Sequence, residues 1–527
     1  MFSVLIPSRN RLNLLRLAVE SVRLQDFGDF EIVVSDNASD DDYQGYVESL
    51  GDPRVRYVRS DTPLSVTENW NRALEAARGD YVVMLGDDDA MAPGYLGHQA
   101  SLIATFDQPD VLYGCCFHYT YPGVMAGAPD GYLATVENSV LFHGHAAPYE
   151  VDPATARHLG AAGLAFRHQI SFNAQHYMYR RAYIESVADL GPFYQSPYPD
   201  YYVSFLTFLT APRIVVDPHP RMIIGISKQS FGFFFMNQQE EEGRRQFLGD
   251  PIDTAFLSDG DGAIVEAIER PGVSHVRNWL LAALQLKRRL AGRAAAVAVD
   301  LRRYRRMQTM EMAFLAGYEG REPRRGYYEF LRHLTGADLA FAQRTLRAAM
   351  AIKRLKVGET RSVMWGYQSL LNIYYPAAVT YHPLPVHQDI LDAVRWLARP
   401  PEPVPPPQPP GPSLEEQLAQ SRSELQALAE AHAALAQHDQ ELAAALQGMT
   451  EAHEQAVDQG LRLGAELETG AQARKAGLER EGQLIAARDQ LLDERAALER
   501  SRLWRATRRL SGLAARLRGK RSDLTPL

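Results

Sequence analysis

Over its first ninety residues the chain alternates between two hydrophobic periods, and this rhythm narrows the fold more than any other feature. "FSVLIPS" (2–8), "FEIVVSDNAS" (30–39), "VRYVRSD" (55–61) and "YVVMLGDDD" (81–89) are short apolar runs that predict strands. Between them, apolar residues recur at helical spacing over 11–25, 41–50 and 65–79, with Gly79 as the expected helix stop. Strands apolar on both faces and alternating with helices imply a mostly parallel sheet covered on each side. In such sheets, ligands bind beyond the carboxyl ends of the strands. Those ends are polar here: Pro7-Ser8-Arg9-Asn10, Ser35-Asp36-Asn37-Ala38-Ser39 and Asp87-Asp88-Asp89. No G-x-G-x-x-G follows the first strand, so the dinucleotide fingerprint is missing.

The aspartate triplet poses the chemical question, because adjacent like charges repel. Two readings are open from the residues alone. One is a solvated turn, since Gly and Asp are turn residues. The other is a hard divalent cation held through carboxylate oxygens.

Bulk properties set further limits. A net charge of -8 over 527 residues argues against a nucleic-acid partner. Cys115 and Cys116 are the only two cysteines and are adjacent, which excludes a disulfide framework or a cysteine zinc site and suits a reducing cytosol. The opening MFSVLIPSRNR lacks the pattern of a secretory leader. No apolar run is long enough to suggest a membrane span.

Composition divides the rest of the chain. Residues 91–235 mix aromatics and turns, with helices expected over 92–106 and 198–212, a strand leading into a helix over 174–193, and strand–turn–strand over 213–227. Residues 240–398 read as a mainly helical domain. Nine prolines between Pro400 and Pro412 mark 399–412 as a semi-rigid linker. Over 413–500, Leu418, Leu425, Leu428, Leu435, Leu442, Leu446 and Met449 trace a coiled-coil seam, interrupted by His432, Asp439 and His453 and weakened further on by glycines. Residues 501–527 form a basic tail: with Arg500 the stretch to Arg521 holds nine Lys/Arg and no acid, and Leu503, Trp504, Leu510, Leu513 and Leu517 can share one helical face. That pattern predicts either peripheral contact with an anionic membrane or a solvated end to the coiled coil.

The segments "SVLIPSRNR", "EIVVSDNASDD" and "NWNRALEAARGDYVVMLGDDD", in this order, resemble the family 2 glycosyltransferases of the GT-A fold. The resemblance is strongest over about residues 2–95 and fades towards 230. "SRLWRATRRL" resembles the S-x-x-W-R-x-T-x-P-L-R ending of bacterial surface-polysaccharide glycosyltransferases, with Arg509 in place of the proline. The resemblance implies an α/β fold: a Rossmann-like nucleotide-diphospho-sugar transferase domain over 1–235, followed by the helical domain and the coiled coil. It implies transfer of a sugar from a nucleoside-diphosphate donor to a hydroxyl of a glycan or lipid-linked acceptor, with inversion and with Mn or Mg as the metal. It places Asp87 and Asp89 on the metal, with Asp88 or Asp87 on ribose or metal-bound water. Pro7, Arg9, Asn10, Asp36 and Asn69 complete the donor site, Asp36 facing the base. Asp200 in "SPYPDYYVS" is the expected general base, with Pro199 where the family has Glu; an ordinary helix cap is its alternative, and Asp189 is the fallback. Trp70 and His219 read as structural. The implied location is cytoplasmic, at the inner face of the cell membrane, with self-association through the coiled coil. The rival reading is a non-catalytic sugar-nucleotide-binding module on a coiled-coil scaffold.

Overall fold

The first strand, β1 (Phe2–Ser8), is buried along nearly its whole length, because parallel neighbours flank it on both sides: β2 (Phe30–Asn37) and β4 (Tyr81–Met84). β3 (Val55–Ser60) extends the parallel set beyond β2. The helices α1 (Leu12–Arg23), α2 (Tyr43–Ser49) and α3 (Val66–Ala76) are the crossovers. A capping box starts α3: the Ser65 hydroxyl accepts from the Glu68 N–H, and the Glu68 carboxylate accepts from the Ser65 N–H. The helix ends at Ala76, before Gly79. Gly79 serves close packing instead, since a Cβ there would lie 2.6 Å from the Ser3 nitrogen. The computed structural model describes residues 1–125, 128–230, 233–234, 268–291, 298–318, 321–354, 378–384, 388–399, 480, 486–488 and 490.

Beyond β4 the sheet becomes mixed. β4 is shorter than the sequence pattern suggests, and the aspartates form a turn before the two-residue β5 (Ala90–Met91). α4 (Tyr95–Thr105) follows, then β6 (Val111–Thr120), β7 (Tyr132–Glu137) and β8 (Tyr149–Glu150). After α5 (Pro153–Leu164), β9 (Tyr177–Arg180) inserts antiparallel between β4 and β6 and leads into α6 (Arg181–Ser186). α7 (Pro199–Thr210) precedes β10 (Ile214–Ile226). Residues 213–227, expected as two strands around a turn, are one long strand: β10 pairs with β6 on both sides of an irregularity between Asp217 and Met222.

Among the described residues four helices follow: α8 (Ser274–Arg289), α9 (Leu301–Tyr318), α10 (Arg321–Leu331) and α11 (Gly336–Arg354). They do not form a separate body. One apolar core joins Trp279, Leu280 and Tyr304 of this region to Leu159, Phe172, Tyr177 and Phe205 of the preceding one, and the Trp279 indole donates to the Gly163 carbonyl, 2.8 Å. The chain then returns to the sheet. β11 (Ala378–His382) pairs antiparallel with β7, and α12 (Ile390–Leu397) buries Ile390, Leu391 and Val394 against Leu14, Ala90 and Ile223. The expected boundary near 235–240 is therefore not a packing boundary.

The chain divides into two units, Met1–Pro400 and Pro401–Leu527, a division that falls at the proline-rich segment. The expected linker from Pro400 on, nearly all of the coiled coil and the basic tail lie outside the described residues.

Candidate functional site

The aspartate turn is built by two glycines and a strand from far along the chain. The Leu85 N–H donates to the Leu5 carbonyl, 2.9 Å, which holds the end of β4 beside β1. The chain then folds back, with the Asp89 N–H on the Gly86 carbonyl, 3.1 Å. Asp89 Oδ2 accepts from the Gly86 N–H, 2.8 Å, and Oδ1 accepts from the Gly225 N–H of β10, 2.8 Å. A side chain at Gly86 would collide with that carboxylate at 2.5 Å, and one at Gly225 would overlap the Asp88 carbonyl. Both positions need glycine for space.

The three carboxylates have different partners. Asp87 Oδ2 accepts from Ser8 Oγ, 2.5 Å, and Oδ1 lies 3.0 Å from Arg11 Nη1. Ser8 is itself paired with the Tyr43 hydroxyl, 2.8 Å. Asp88 Oδ2 accepts from Ser227 Oγ, 3.0 Å, and its Oδ1 makes no hydrogen bond among the described residues. Asp89 has both oxygens on backbone N–H groups. Burial pushes the Asp87 carboxyl up to about 6, against the pull of Arg11 and with the charge of Asp88 adding. Burial and Asp88 hold Asp89 well above the ordinary carboxylate range, opposed by the two N–H donors. Arg11 is raised: burial opposes its charge, but Asp87 and Asp88 outweigh it. Three buried carboxylates share one guanidinium, an excess of negative charge that suits a cation.

Among the described residues no group of three or more His, Cys, Asp or Glu side chains forms a metal cage. A hard cation of the Mg type needs none; it commonly takes one or two protein carboxylates and completes its shell with substrate phosphates and water. The unbonded Asp88 Oδ1 fits that requirement. Asp89, the expected ligand, has each oxygen on one of the N–H groups that brace the turn.

At the end of β2, Asp36 is fully buried and already bonded. Its Oδ1 accepts from the Ser39 N–H, 2.9 Å; its Oδ2 accepts from the Tyr57 hydroxyl, 2.8 Å, and from Arg59 Nη1, 2.5 Å. The Arg59 side chain is 41% exposed, so it is the arginine and not the aspartate that faces outward. Asn69 is buried and exchanges hydrogen bonds with Ser35 at the same strand end. Asn10 has φ +52° and staples two loops: its N–H donates to Ser39 Oγ, 3.0 Å, and its Oδ1 accepts from the Asp40 N–H, 2.8 Å. Pro7 is half-buried at the end of β1, and Arg9 is exposed.

Asp200 stands in the first turn of α7, whose N-cap is Tyr198 and which begins with Pro199. Asp200 is not the cap of its own helix. Its Oδ1 accepts from the Ala174 N–H, 2.7 Å, in the turn Ala174–His176 just before β9. That turn lies at the end of β4 because β9 runs antiparallel to it, with Val83 opposite Met178. α3 fixes the other side: Thr67 Oγ1 donates to the Ser196 carbonyl, 2.7 Å, and Asn71 exchanges hydrogen bonds with the Tyr194 backbone. Asp200, the aspartate turn and the end of β2 thus share one rim. Burial pushes the Asp200 carboxyl up to about 7, against the Ala174 N–H. Asp189 is exposed in a turn after α6. His219 donates or accepts at Asp217, 3.0 Å, and Trp70 packs edge-on against Tyr194.

Several residues of this rim carry no local sequence signal. Ser8 ends the first visible strand, and Arg11 and Tyr43 lie just beyond visible strands, but nothing in their spelling pairs them with Asp87. Ser227 and Gly225 lie 139 and 136 positions from the aspartates they hold. They are recognisable only once β10 is known to pass the turn.

Residues 3–135 match the family model described as Glycosyl transferase family 2. The chain is 39% identical over 97 residues to a Campylobacter jejuni protein named GalNAc(5)-diNAcBac-PP-undecaprenol beta-1,3-glucosyltransferase, a match covering 18% of this chain and 31% of that protein. It is 31% identical over 109 residues to the putative colanic acid biosynthesis glycosyl transferase WcaA of Escherichia coli, covering 20% and 39%. These matches span well under half of the relatives' lengths. Among solved structures, S. aureus TarS 1-349 in complex with UDP-GlcNAc aligns with 67% of this chain and 90% of its own at 15% identity and TM-score 0.36.

Proposed function

We propose that residues 3–135, which match the Glycosyl transferase family 2 model, are a glycosyltransferase domain of the GT-A type, and that the whole protein transfers a sugar from a nucleoside-diphosphate donor to an acceptor hydroxyl. The observation that carries the proposal is the aspartate turn: three buried carboxylates against one arginine, with one carboxylate oxygen of Asp88 left unbonded. Asp88 would hold the divalent cation, with Asp87 behind it, tied to Ser8 and Arg11. When bound, such a cation offsets the charge that develops on the departing diphosphate. The expected metal role of Asp89 passes to Asp88, because Asp89 braces Gly86 to Gly225. Asp36 acts in the donor site as the anchor of Arg59, whose outward guanidinium is available to the donor.

Asp200 is the general base. Its Oδ1 is held by Ala174, which leaves Oδ2 to take the proton of the attacking hydroxyl. A carboxyl pushed up to about 7 is matched to that task near neutral pH. The acceptor oxygen bonds to the anomeric carbon as the donor's bond to its diphosphate breaks, which inverts the anomeric centre if attack is in line. Relatives named for an undecaprenol-linked glycan and for colanic acid support an acceptor in cell-surface polysaccharide or lipid-linked glycan synthesis. No described helix is long and apolar enough to cross a membrane. The basic amphipathic segment 501–527 would provide peripheral contact.

The test is donor hydrolysis. Purified protein is incubated with a panel of nucleoside-diphosphate sugars, with Mn or Mg and with EDTA, and release of the nucleotide is followed. Metal-dependent release from one donor, lost in Asp88→Ala, supports the transferase. No release and no calorimetric binding of any donor would leave the non-catalytic scaffold as the better reading.

A further inference from the structure

The helices behind Asp200 gather arginines that the transfer reaction does not use. Arg167 follows α5, Arg277 lies in the first turn of α8, and Arg303, Arg305 and Arg306 belong to the start of α9. Packing brings these segments together. The Phe166 ring lies 5.3 Å from Trp279 and 5.5 Å from Tyr304. Gln308 of α9 accepts from the Val273 N–H, 2.8 Å, and donates to its carbonyl, 3.1 Å, at the start of α8. Arg277 and Arg305 are close enough for their charges to act on Tyr304, and Arg167 and Arg306 act on Arg303.

Their polar atoms are under-satisfied. Arg277 Nε, Arg303 Nη1 and Arg305 Nε are buried without a hydrogen-bond partner. Arg277 makes one bond, to the Arg270 carbonyl, 3.3 Å. Arg303 faces Asp300 at 4.0 Å, and Glu311 lies 2.9 Å from His275. Burial lowers Arg303 from its ordinary value, and the charges of Arg167 and Arg306 lower it further, with Asp300 opposing. Partly buried like charges with unsatisfied N–H groups are costly to keep. A guanidinium presents a planar fork that matches phosphate oxygens, and several together match a polyanion.

We propose that this arginine cluster binds a phosphate or diphosphate group carried by the acceptor, an inference that rests on the transferase reading. A largely buried aromatic cluster lies between it and the base: Tyr201, next to Asp200, lies 5.9 Å from the Trp279 ring, and Trp279 is two residues from Arg277. An acceptor with its hydroxyl at Asp200 and its phosphate at the arginines would pass over this cluster, since Trp279 itself is buried.

The probe is inorganic pyrophosphate, titrated calorimetrically into the full chain. The triple variant Arg277→Gln, Arg303→Gln, Arg305→Gln is expected to bind it about tenfold more weakly or worse in EDTA, which keeps a cation-held diphosphate out of the donor site. Arg306 is exposed, so Arg306→Glu should fold normally and still weaken binding severalfold by charge alone. Circular dichroism checks the fold of each variant. Farnesyl diphosphate binding more tightly than pyrophosphate would identify a lipid-linked source, and equal binding a phosphate on the glycan itself. Wild-type affinity in both arginine variants, or no saturable binding to the wild type, would overturn the proposal. Donor hydrolysis is run on the same preparations. If it is present and Asp88-dependent while pyrophosphate binding ignores the arginines, only the acceptor-phosphate inference falls; if it is absent throughout, the transferase reading falls.

Discussion

At the scale of single residues, the three adjacent aspartates have three different sets of partners, and substitution should separate the roles proposed for them. Asp89→Ala leaves the Gly86 and Gly225 N–H groups without their acceptor, so it should cost roughly 3 kcal/mol of stability in chemical denaturation. Asp88→Ala removes one hydrogen bond, from Ser227, and should cost about 1 kcal/mol or less while abolishing metal-dependent donor turnover. Equal destabilisation by both, with turnover lost only in Asp89→Ala, would reverse the assignment. Asp200 gives a pH prediction. Its folded pKa of about 7 lies above the usual carboxylate value, and the base must be ionised, so kcat/KM should rise as pH climbs through about 7. The same shift has the opposite sign for stability: ionising the buried carboxyl disfavours the folded state, so folding weakens from about pH 4 up through 7. Asp200→Asn should remove both effects, losing turnover and becoming more stable than the wild type above pH 7. A rate limb that persists in Asp200→Asn would end its candidacy as base. The triplet was visible in the sequence because a strand rarely ends in like charges without a counter-charge. Its division of labour was not visible, since it is set by Gly225 and Ser227, which come from a strand more than 130 residues later.

At the scale of elements, the strand–helix rhythm of the first ninety residues was legible because parallel strands buried on both faces leave continuous apolar runs. The region beyond residue 90 was less legible. The reading of 213–227 as two strands took Pro218-His219-Pro220 for a turn, yet β10 bridges it by an irregularity because β6 lies alongside on both halves. The separate helical domain failed as a packing unit for a similar reason: amphipathic helices reveal that they have a buried face but not what covers it. Here Trp279 finds Phe172 and Phe205 of the sheet region. Trp279→Ala should therefore cost about 3–5 kcal/mol and shift the single unfolding transition of Met1–Pro400, not a separate helical one. Two resolved calorimetric transitions, only one of them moved, would contradict the shared core. The return of α12 has the same logic. It covers Ala90 and Ile223 beside the aspartate turn, and a Cβ on Gly225 would reach Ile390 at 3.3 Å. A segment more than 240 residues past the family match thus backs the strand that holds Asp89.

At the scale of the whole molecule, the chain places its chemistry and its charge in different units. Every residue assigned to the site lies within Met1–Pro400, while the acid-free basic stretch 500–521 lies in Pro401–Leu527. The overall charge of -8 would repel an anionic membrane, so any attraction must be local, and attraction to anionic lipid falls off within about a Debye length, roughly 8–10 Å at ordinary salt. Nine Lys/Arg in 22 residues, each worth on the order of 1 kcal/mol near such a surface, exceed what Trp504 and the leucines alone would need to dock. Ending the chain at Pro400 should leave donor hydrolysis near the full-chain rate, because no site residue is lost. The same deletion should abolish sedimentation with phosphatidylglycerol vesicles and leave a monomer by light scattering, since the expected coiled-coil seam goes with it. Raising salt to about 0.5 M should release the full chain from the vesicles without dissociating the coiled coil, because the first contact is ionic and the second apolar. Unchanged sedimentation of the 1–400 chain would move the membrane contact into Met1–Pro400, where the exposed Arg9 and Arg306 would be the next residues to test.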